Sequence, residues 1–451
     1  MKSLRTLALV VCLALVSVCA ATGVGHAAVN QKGTYFPLTA SRLLDTRGSN
    51  GGHPTPLGAK AQLDLQVSGR GQVPSSGVSA VVINLTVVGA ASGGFLTAWP
   101  TGQNRPAVSS INGTGQTRAN IATIPLGTGG KITIFNSSGS VDVIVDVVGY
   151  YSSVDTTSTE GNDYANLAPE RQLDTRQGSE GQLRPRQIVD IYNDFGANGT
   201  LTKYVKALAV NVTAVNGQGT GYVTAWDGVG TPPTTSTLNF GKTAAIPNMA
   251  VVRTSLCTDP NECAQAPNSP TRISIYNGSS AAVDVLVDLV GLYFNDDTTG
   301  LRFVPLSSPV RIKDSRLPSP GNPLTAQQTQ VVTAPSSAAG ADTVSLVANV
   351  TAVRPTATTF LTLWAANGST RPTTSNLNAV AGQTVANGAV VDLSTSRAFN
   401  VYNAGGTTNF LVDVTGRFDV GTAAMARAGA NSRTDRGVTG TQIGRRSLTA
   451  R

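Results

Sequence analysis

Histidine is nearly missing from this chain, with two in 451 residues. Cysteine is scarce at four, aromatic residues make up 5% and charged residues 13%. Each shortage excludes something. A histidine-based catalytic triad repeated along the chain lacks its base. Zinc sites of the usual Cys/His kind lack ligands. A nucleic-acid-binding body would need a basic patch, and none is visible. After the first residues no apolar run is long enough to span a bilayer, so no membrane span and no cofactor are expected.

One apolar run does exist, "TLALVVCLALVSVCA" behind Lys2 and Arg5. It is short, follows a positive start and leads to "GHAA", with Gly25 and Ala27 as small residues before a cut. That reads as a signal peptide over 1–27. Val18 ahead of Cys19 argues against a lipoprotein signal. Removing 27 residues from 451 leaves 424, enough for about three domains at roughly 150 residues each. Loss of Lys2 and Arg5 lowers the net charge from +8 to +6, and residues 421–451 carry six arginines and one aspartate. The basicity therefore belongs to the tail, which holds little to bury and reads as disordered. Its arginines offer electrostatic attachment to an anionic polymer.

Cys257 and Cys263 are the cysteines that remain, in "CTDPNEC". In an exported chain they are expected to form a disulfide. The loop it closes is short, worth only about 2–3 kcal/mol by chain entropy.

What is present is repetition. "RLLDTR" at 42–47 returns as "RQLDTR" at 171–176 and "RIKDSR" at 311–316. "AVVINLTVV", "ALAVNVTAV" and "SLVANVTAV" follow, then "GFLTAW", "GYVTAW" and "TFLTLW". Next come "SSIN", "STLN" and "SNLN", an isolated asparagine at 120, 248 and 387, and "IFN", "IYN" and "VYN". The units close on "VIVDVVGYY", "VLVDLVGLYF" and "FLVDVTGRF". Short runs of Val, Ile, Thr and aromatics between Gly, Pro, Asn and Ser clusters are strands. The expected fold is all-β: three homologous β-sandwich, jelly-roll-like domains at 35–152, 164–294 and 301–420. Short linkers predict contact between them and packing about a pseudo-threefold axis.

The closing strand alternates. Val141, Val143, Val145 and Val147 share one face, and Asp142, Ile144, Asp146 and Val148 the other. An aspartate between branched aliphatics needs a partner if it is covered. Asp146, Asp288 and Asp413 are therefore assigned to a polar clasp. Their partners are the repeated Arg42, Asp45 and Arg47, Arg171, Asp174 and Arg176, and Arg311, Asp314 and Arg316. The clasp would tie each unit's start to its closing strand or to a neighbouring unit. Asn84, Asn211 and Asn349 sit in glycosylation sequons, but their mid-strand positions mark them as hydrogen-bonding groups.

Trp99, Trp226 and Trp364 end one strand per unit, 127 and 138 residues apart. A core role is the simpler explanation. The arginine–proline pairs beyond two of them place loops nearby, where a sandwich holds a ligand. They are the candidate ligand-binding residues. His53 reads as a loop residue, and no residue is assigned to catalysis.

The ordered set "RLLDTR", "NLTVV", "GFLTAWPTG", "RP", "INGTGQT" and "VDVVGYY" resembles a β-rich repeat of exported actinobacterial proteins. That repeat occurs alone, in tandem, or attached to cell-wall hydrolases. The resemblance covers nearly all of 35–420 and implies an extracellular, non-catalytic module. The expected function is a secreted structural and binding protein of the cell surface or extracellular space, whose partners are cell-wall polymers or other glycans. The competing expectation is a secreted carbohydrate-active enzyme, or an enzyme inhibitor, acting through loops of one repeat.

Overall fold

Alternating branched residues make strands, and the strands bury one face in pairs of sheets. The computed structural model describes residues 31–89, 93–154, 161–177, 181–242, 244–259, 263, 269–296, 300–319, 321–420 and 438–447. The signal peptide read at 1–27 and the tail residues 421–437 and 448–451 lie outside them.

Unit 1 has eight strands: β1 (Tyr35–Asp45), β2 (Gln62–Gln66), β3 (Val78–Val88), β4 (Phe95–Pro100), β5 (Ile111–Asn112), β6 (Arg118–Pro125), β7 (Lys131–Asn136) and β8 (Asp142–Ser152). They pair as β1-β8-β3-β6 and β2-β7-β4-β5. All pairs are antiparallel. Two interlocked Greek keys in this order are a jelly roll.

Unit 2 repeats the plan with β9 (Asp163–Asp174), β10 (Gln187–Phe195), β11 (Val205–Val215), β12 (Gly221–Trp226), β13 (Leu238–Phe240), β14 (Ile246–Arg253), β15 (Ser255–Leu256), β16 (Thr271–Asn277) and β17 (Asp284–Phe294). The short β15 is an addition, paired to β16. Unit 3 uses β18 (Leu301–Asp314), β19 (Thr329–Thr333), β20 (Thr343–Val353), β21 (Thr359–Ala365), β22 (Leu377–Ala379), β23 (Thr384–Asp392), β24 (Ala398–Asn403) and β25 (Asn409–Val420). The strand orders of units 2 and 3 match unit 1.

Each sandwich has its own core. Val141, Val143, Val145 and Val147 lie in that of unit 1 with Val81, Ile83 and Leu85. Val283, Val285, Val287 and Leu289 do the same in unit 2, and Phe410, Val412 and Val414 in unit 3. The sheets that hold the closing strands also bury part of their second face, against one another. There Tyr35, Tyr151, Tyr164, Tyr293, Phe303 and Phe418 meet in one apolar cluster. The opening aromatic of each unit packs against the closing aromatic of another. Ring centroids are 4.4 Å apart for Tyr35–Tyr293, 4.2 Å for Tyr164–Phe418 and 4.1 Å for Phe303–Tyr151. Three equivalent pairs in cyclic order define a pseudo-threefold axis. Each ring pair adds about 0.5–1.5 kcal/mol beyond the area it buries.

The glycine in "VVG", "LVG" and "VTG" lets this axis form. A Cβ on Gly149 or Gly291 would collide with the hydroxyl of Tyr35 or Tyr164, and one on Gly416 with the ring of Phe303. The strand starts also touch directly. Tyr35 bridges Asn162, Leu301 pairs with Tyr164, and the Phe303 amide donates to Gly33 O at 2.9 Å.

The tail differs from expectation. Residues Val438–Ser447 form β26, antiparallel to β10 along the outer sheet of unit 2. This corrects the reading of 421–451 as wholly disordered. The pairing is made by main-chain groups, so it needs none of the apolar side chains whose scarcity prompted that reading.

Candidate functional site

Repeated polar residues are used first to close each unit and then to join the units. Arg42 lies on β1 beside Asp146 on β8 in the strand register. Its Nε donates to Asp146 Oδ1 at 2.9 Å and its Nη2 to Oδ2 at 3.3 Å. Its Nη1 donates to Asp45 Oδ2 at 3.0 Å. Arg171 engages Asp288 and Asp174 in the same way. Arg311 holds Asp413 at 2.7 and 2.9 Å and lies 3.8 Å from Asp314. The clasp thus ties the opening strand to the closing strand of the same unit. Burial pushes the carboxyls of Asp146, Asp288 and Asp413 up, against the pull of their arginines.

The second arginine of each motif does something else. Arg47 holds Asp45 through Nε at 2.9 Å and Nη2 at 2.7 Å, and Arg176 and Arg316 repeat this on Asp174 and Asp314. These bonds hold Asp45, Asp174 and Asp314 below the usual carboxylate range. The three outer arginine side chains are 42–48% exposed.

Six asparagines join the units. Asn248 Nδ2 donates to Asn84 Oδ1 at 2.8 Å, Asn387 to Asn211 at 3.0 Å and Asn120 to Asn349 at 2.9 Å. The Oδ1 atoms of Asn248, Asn387 and Asn120 accept from the amides of Ile121, Met249 and Gly388. The sequon amides reach onward: Asn84 to Ser236 O, Asn211 to Ser375 O and Asn349 to Ser109 O. Every link crosses a unit boundary, and the set closes into a ring. The sequon asparagines are therefore committed to neighbouring units. This ring was not readable from one sequence, although the isolated asparagine in each repeat was its signal.

Trp99 and Trp226 are 4% and 6% exposed. Their rings are covered, as a core role requires, so neither offers the stacking surface of a ligand-binding residue. Trp99 Nε1 donates to Gln103 O at 2.9 Å. Trp364 is half-buried, and its Nε1 reaches Ser369 O at 3.3 Å. The arginine–proline loops lie near these strands by cation–π stacking: Arg105 over Phe135 at 3.9 Å and Arg371 over Tyr402 at 3.6 Å. Cys257 and Cys263 form a disulfide with Cα atoms 6.4 Å apart. His53 is half-buried in the β1–β2 loop.

Trp226 is buried against Ile188 and Tyr276 of its own unit, whereas Trp99 and Trp364 line spaces between units. The opening strand loses its regular pairing near its middle, between Pro37 and Ser41, across Leu289 and Gly291, and between Pro305 and Val310. The bulged segment forms the lip of a groove against the next unit. Between units 3 and 1, where Trp99 and Pro309 both line it, the space is about 50 Å³. Between units 1 and 2, by Ala40 and Ala225, it is about 30 Å³. Between units 2 and 3 it opens to about 510 Å³, lined by Pro169, Trp364, Asn367, Arg371, Asn376 and Asp392. A second groove of about 570 Å³ lies elsewhere between units 1 and 2, lined by Arg42, Arg47, Gln116, Tyr222 and Asn239. No cluster of metal-ligating side chains occurs among the described residues.

No family model matches the chain, and no curated protein is similar to it. Among solved structures it is similar to a triple-jelly-roll protein of an archaeal virus turret assembly. The identity is 10%, over 86% of this chain and 91% of that one, with a TM-score of 0.17. It is also similar to a chain of the Sulfolobus turreted icosahedral virus, at 12% identity over 81% and 84%, again with a TM-score of 0.17. The strand order above defines the fold class: an all-β protein of three jelly-roll sandwiches.

Proposed function

We propose that this protein is a secreted, non-catalytic binding and scaffold protein of the cell surface or extracellular space. It engages glycans of the cell envelope or its surroundings through the groove between units 2 and 3. One observation carries the reading. Of three equivalent tryptophans, two are sealed and the third is half-buried at an open groove of about 510 Å³. An accessible indole among amide, carboxylate and guanidinium groups suits a sugar ring, which offers an apolar face and a rim of hydroxyls. Arg42, Arg171 and Arg311 and the closing-strand aspartates they hold are spent on closing the sandwiches, which favours binding over chemistry. The resemblance to a repeat of exported actinobacterial proteins supports the extracellular setting.

The test is co-sedimentation of the protein, freed of residues 1–27, with purified actinobacterial cell walls at low and high salt. Wild-type protein pellets with the walls in both conditions, and Trp364→Ala stays in the supernatant at high salt. Equal pelleting of the two proteins would remove the groove from the account.

A further inference from the structure

The outer arginine of the repeated motif is unexplained by closure of the unit. Arg42 already grips both Asp146 oxygens and reaches Asp45, which uses both edges of its guanidinium. Arg47 binds Asp45 through the Nε–Nη2 edge only. Among the described residues its Nη1 makes no hydrogen bond, and the side chain is 48% exposed. A guanidinium has a second planar edge, Nη1–Nη2, that fits a carboxylate in two-pronged fashion. Asp45 holds that edge in place before any ligand arrives, so little side-chain entropy is left to lose on binding.

Arg47 lines the groove of about 570 Å³ between units 1 and 2, and Tyr222 lines it from the other unit. Tyr222 is half-buried, and its ring lies against Gly278, where a Cβ would collide with it. The glycine lets one side of the ring rest on backbone and fixes the ring at the groove. Burial pushes the Tyr222 hydroxyl up, so it stays a neutral donor and acceptor at ordinary pH. Gln116 and Asn239 add amide groups. The Oδ1 of Asn239 accepts from Ser236, while its Nδ2 makes no hydrogen bond among the described residues.

We infer that this groove is a second binding site, for a saccharide that carries a carboxylate. The Arg47 edge takes the carboxylate, the Tyr222 ring carries the pyranose, and the amides take its hydroxyls. An aromatic platform selects a ring sugar over a polyol phosphate, which has no flat apolar face. The site shares no residue with the Trp364 groove, so the two readings stand or fall separately.

Titration calorimetry with trigalacturonate, and with its fully methyl-esterified form, tests this at 50 and 300 mM salt. The wild type binds trigalacturonate in both, more weakly at high salt, and binds the ester at least tenfold more weakly. Tyr222→Ala weakens trigalacturonate at least tenfold, and Arg47→Gln does likewise. Each variant is checked for an unchanged melting temperature, and Gln116→Ala serves as a variant with no part in the clasp, expected to cost a few-fold. No binding by the wild type, equal affinity for the ester, or full affinity in Tyr222→Ala would each overturn the assignment.

Discussion

Asn248→Ala removes one link of the asparagine ring. The side chain is 1% exposed. Its Nδ2 donates to Asn84 Oδ1 at 2.8 Å and Thr237 O at 2.6 Å, and its Oδ1 accepts from the Ile121 amide at 3.1 Å. Truncation strands these partners in a buried interface. Asn84 Oδ1 and the Ile121 amide are the most isolated, and an orphaned buried group costs about 1–3 kcal/mol. Partial relaxation brings the total to about 4 kcal/mol. The melting shift then depends on what unfolds together. Unfolding entropy is about 2.1 cal/mol/K per residue. If the three units melt as one body of roughly 390 residues, the midpoint falls by about 5 °C in one transition. If each unit of roughly 125 residues melted alone, units 1 and 2 would drop by about 15 °C and leave unit 3 behind. The closed ring of asparagines and stacked aromatics predicts the first pattern. Scanning calorimetry distinguishes them, and a split transition, or a shift under 1 °C, would refute the reasoning.

Other outcomes follow from the same geometry. Arg42→Ala leaves Asp146 buried without its guanidinium and costs about 3–5 kcal/mol, whereas Arg47→Ala removes an exposed pair worth about 0–1 kcal/mol. Chemical denaturation of the two variants gives the contrast, and equal losses would contradict the division of labour within the clasp. Burial raises the hydroxyls of Tyr35, Tyr151, Tyr164 and Tyr293 above the ordinary value of 10.0. These groups hold their protons more tightly folded than unfolded, so their contribution is complete below pH 10 and is lost as pH rises through the folded values. Ultraviolet titration should show their ionisation arriving with unfolding, and reversible ionisation of all ten tyrosines near pH 10 in the folded state would contradict it. Ending the chain at Val420 uncovers one edge of β10. Hydrogen exchange should then quicken in Gln187–Phe195 and stay unchanged in the equivalent β2 and β19, whereas unchanged protection in β10 would deny the pairing with β26.

Much of the architecture is legible because strand periodicity is local. Val141 and the three valines at alternate positions on β8 point to one core, and an aspartate among aliphatics on the other face demands a cation. The order of motifs marks three copies. Which arginine meets Asp146 was not legible, since Arg42 and Arg47 lie five residues apart and only the register of β1 on β8 separates them. The interfaces were further out of reach. Asn120 and Asn349 meet across 229 residues of sequence, and nothing local distinguishes an asparagine that bonds its own loop from one that bonds another unit. The tryptophans show the same limit. "GFLTAW" and "TFLTLW" are alike, yet Trp99 is buried and Trp364 is not, and the local sequence does not separate them. The tail strand left no apolar pattern to read, since its pairing rests on backbone.

The most direct measurement is the number of neutral-glycan sites per chain. Calorimetric titration with uncharged soluble fragments of actinobacterial wall polysaccharide should saturate at one site per chain and vanish in Trp364→Ala. Three sites per chain, or one that survives loss of Trp364, would contradict the claim that the two sealed tryptophans are structural and the third carries the binding.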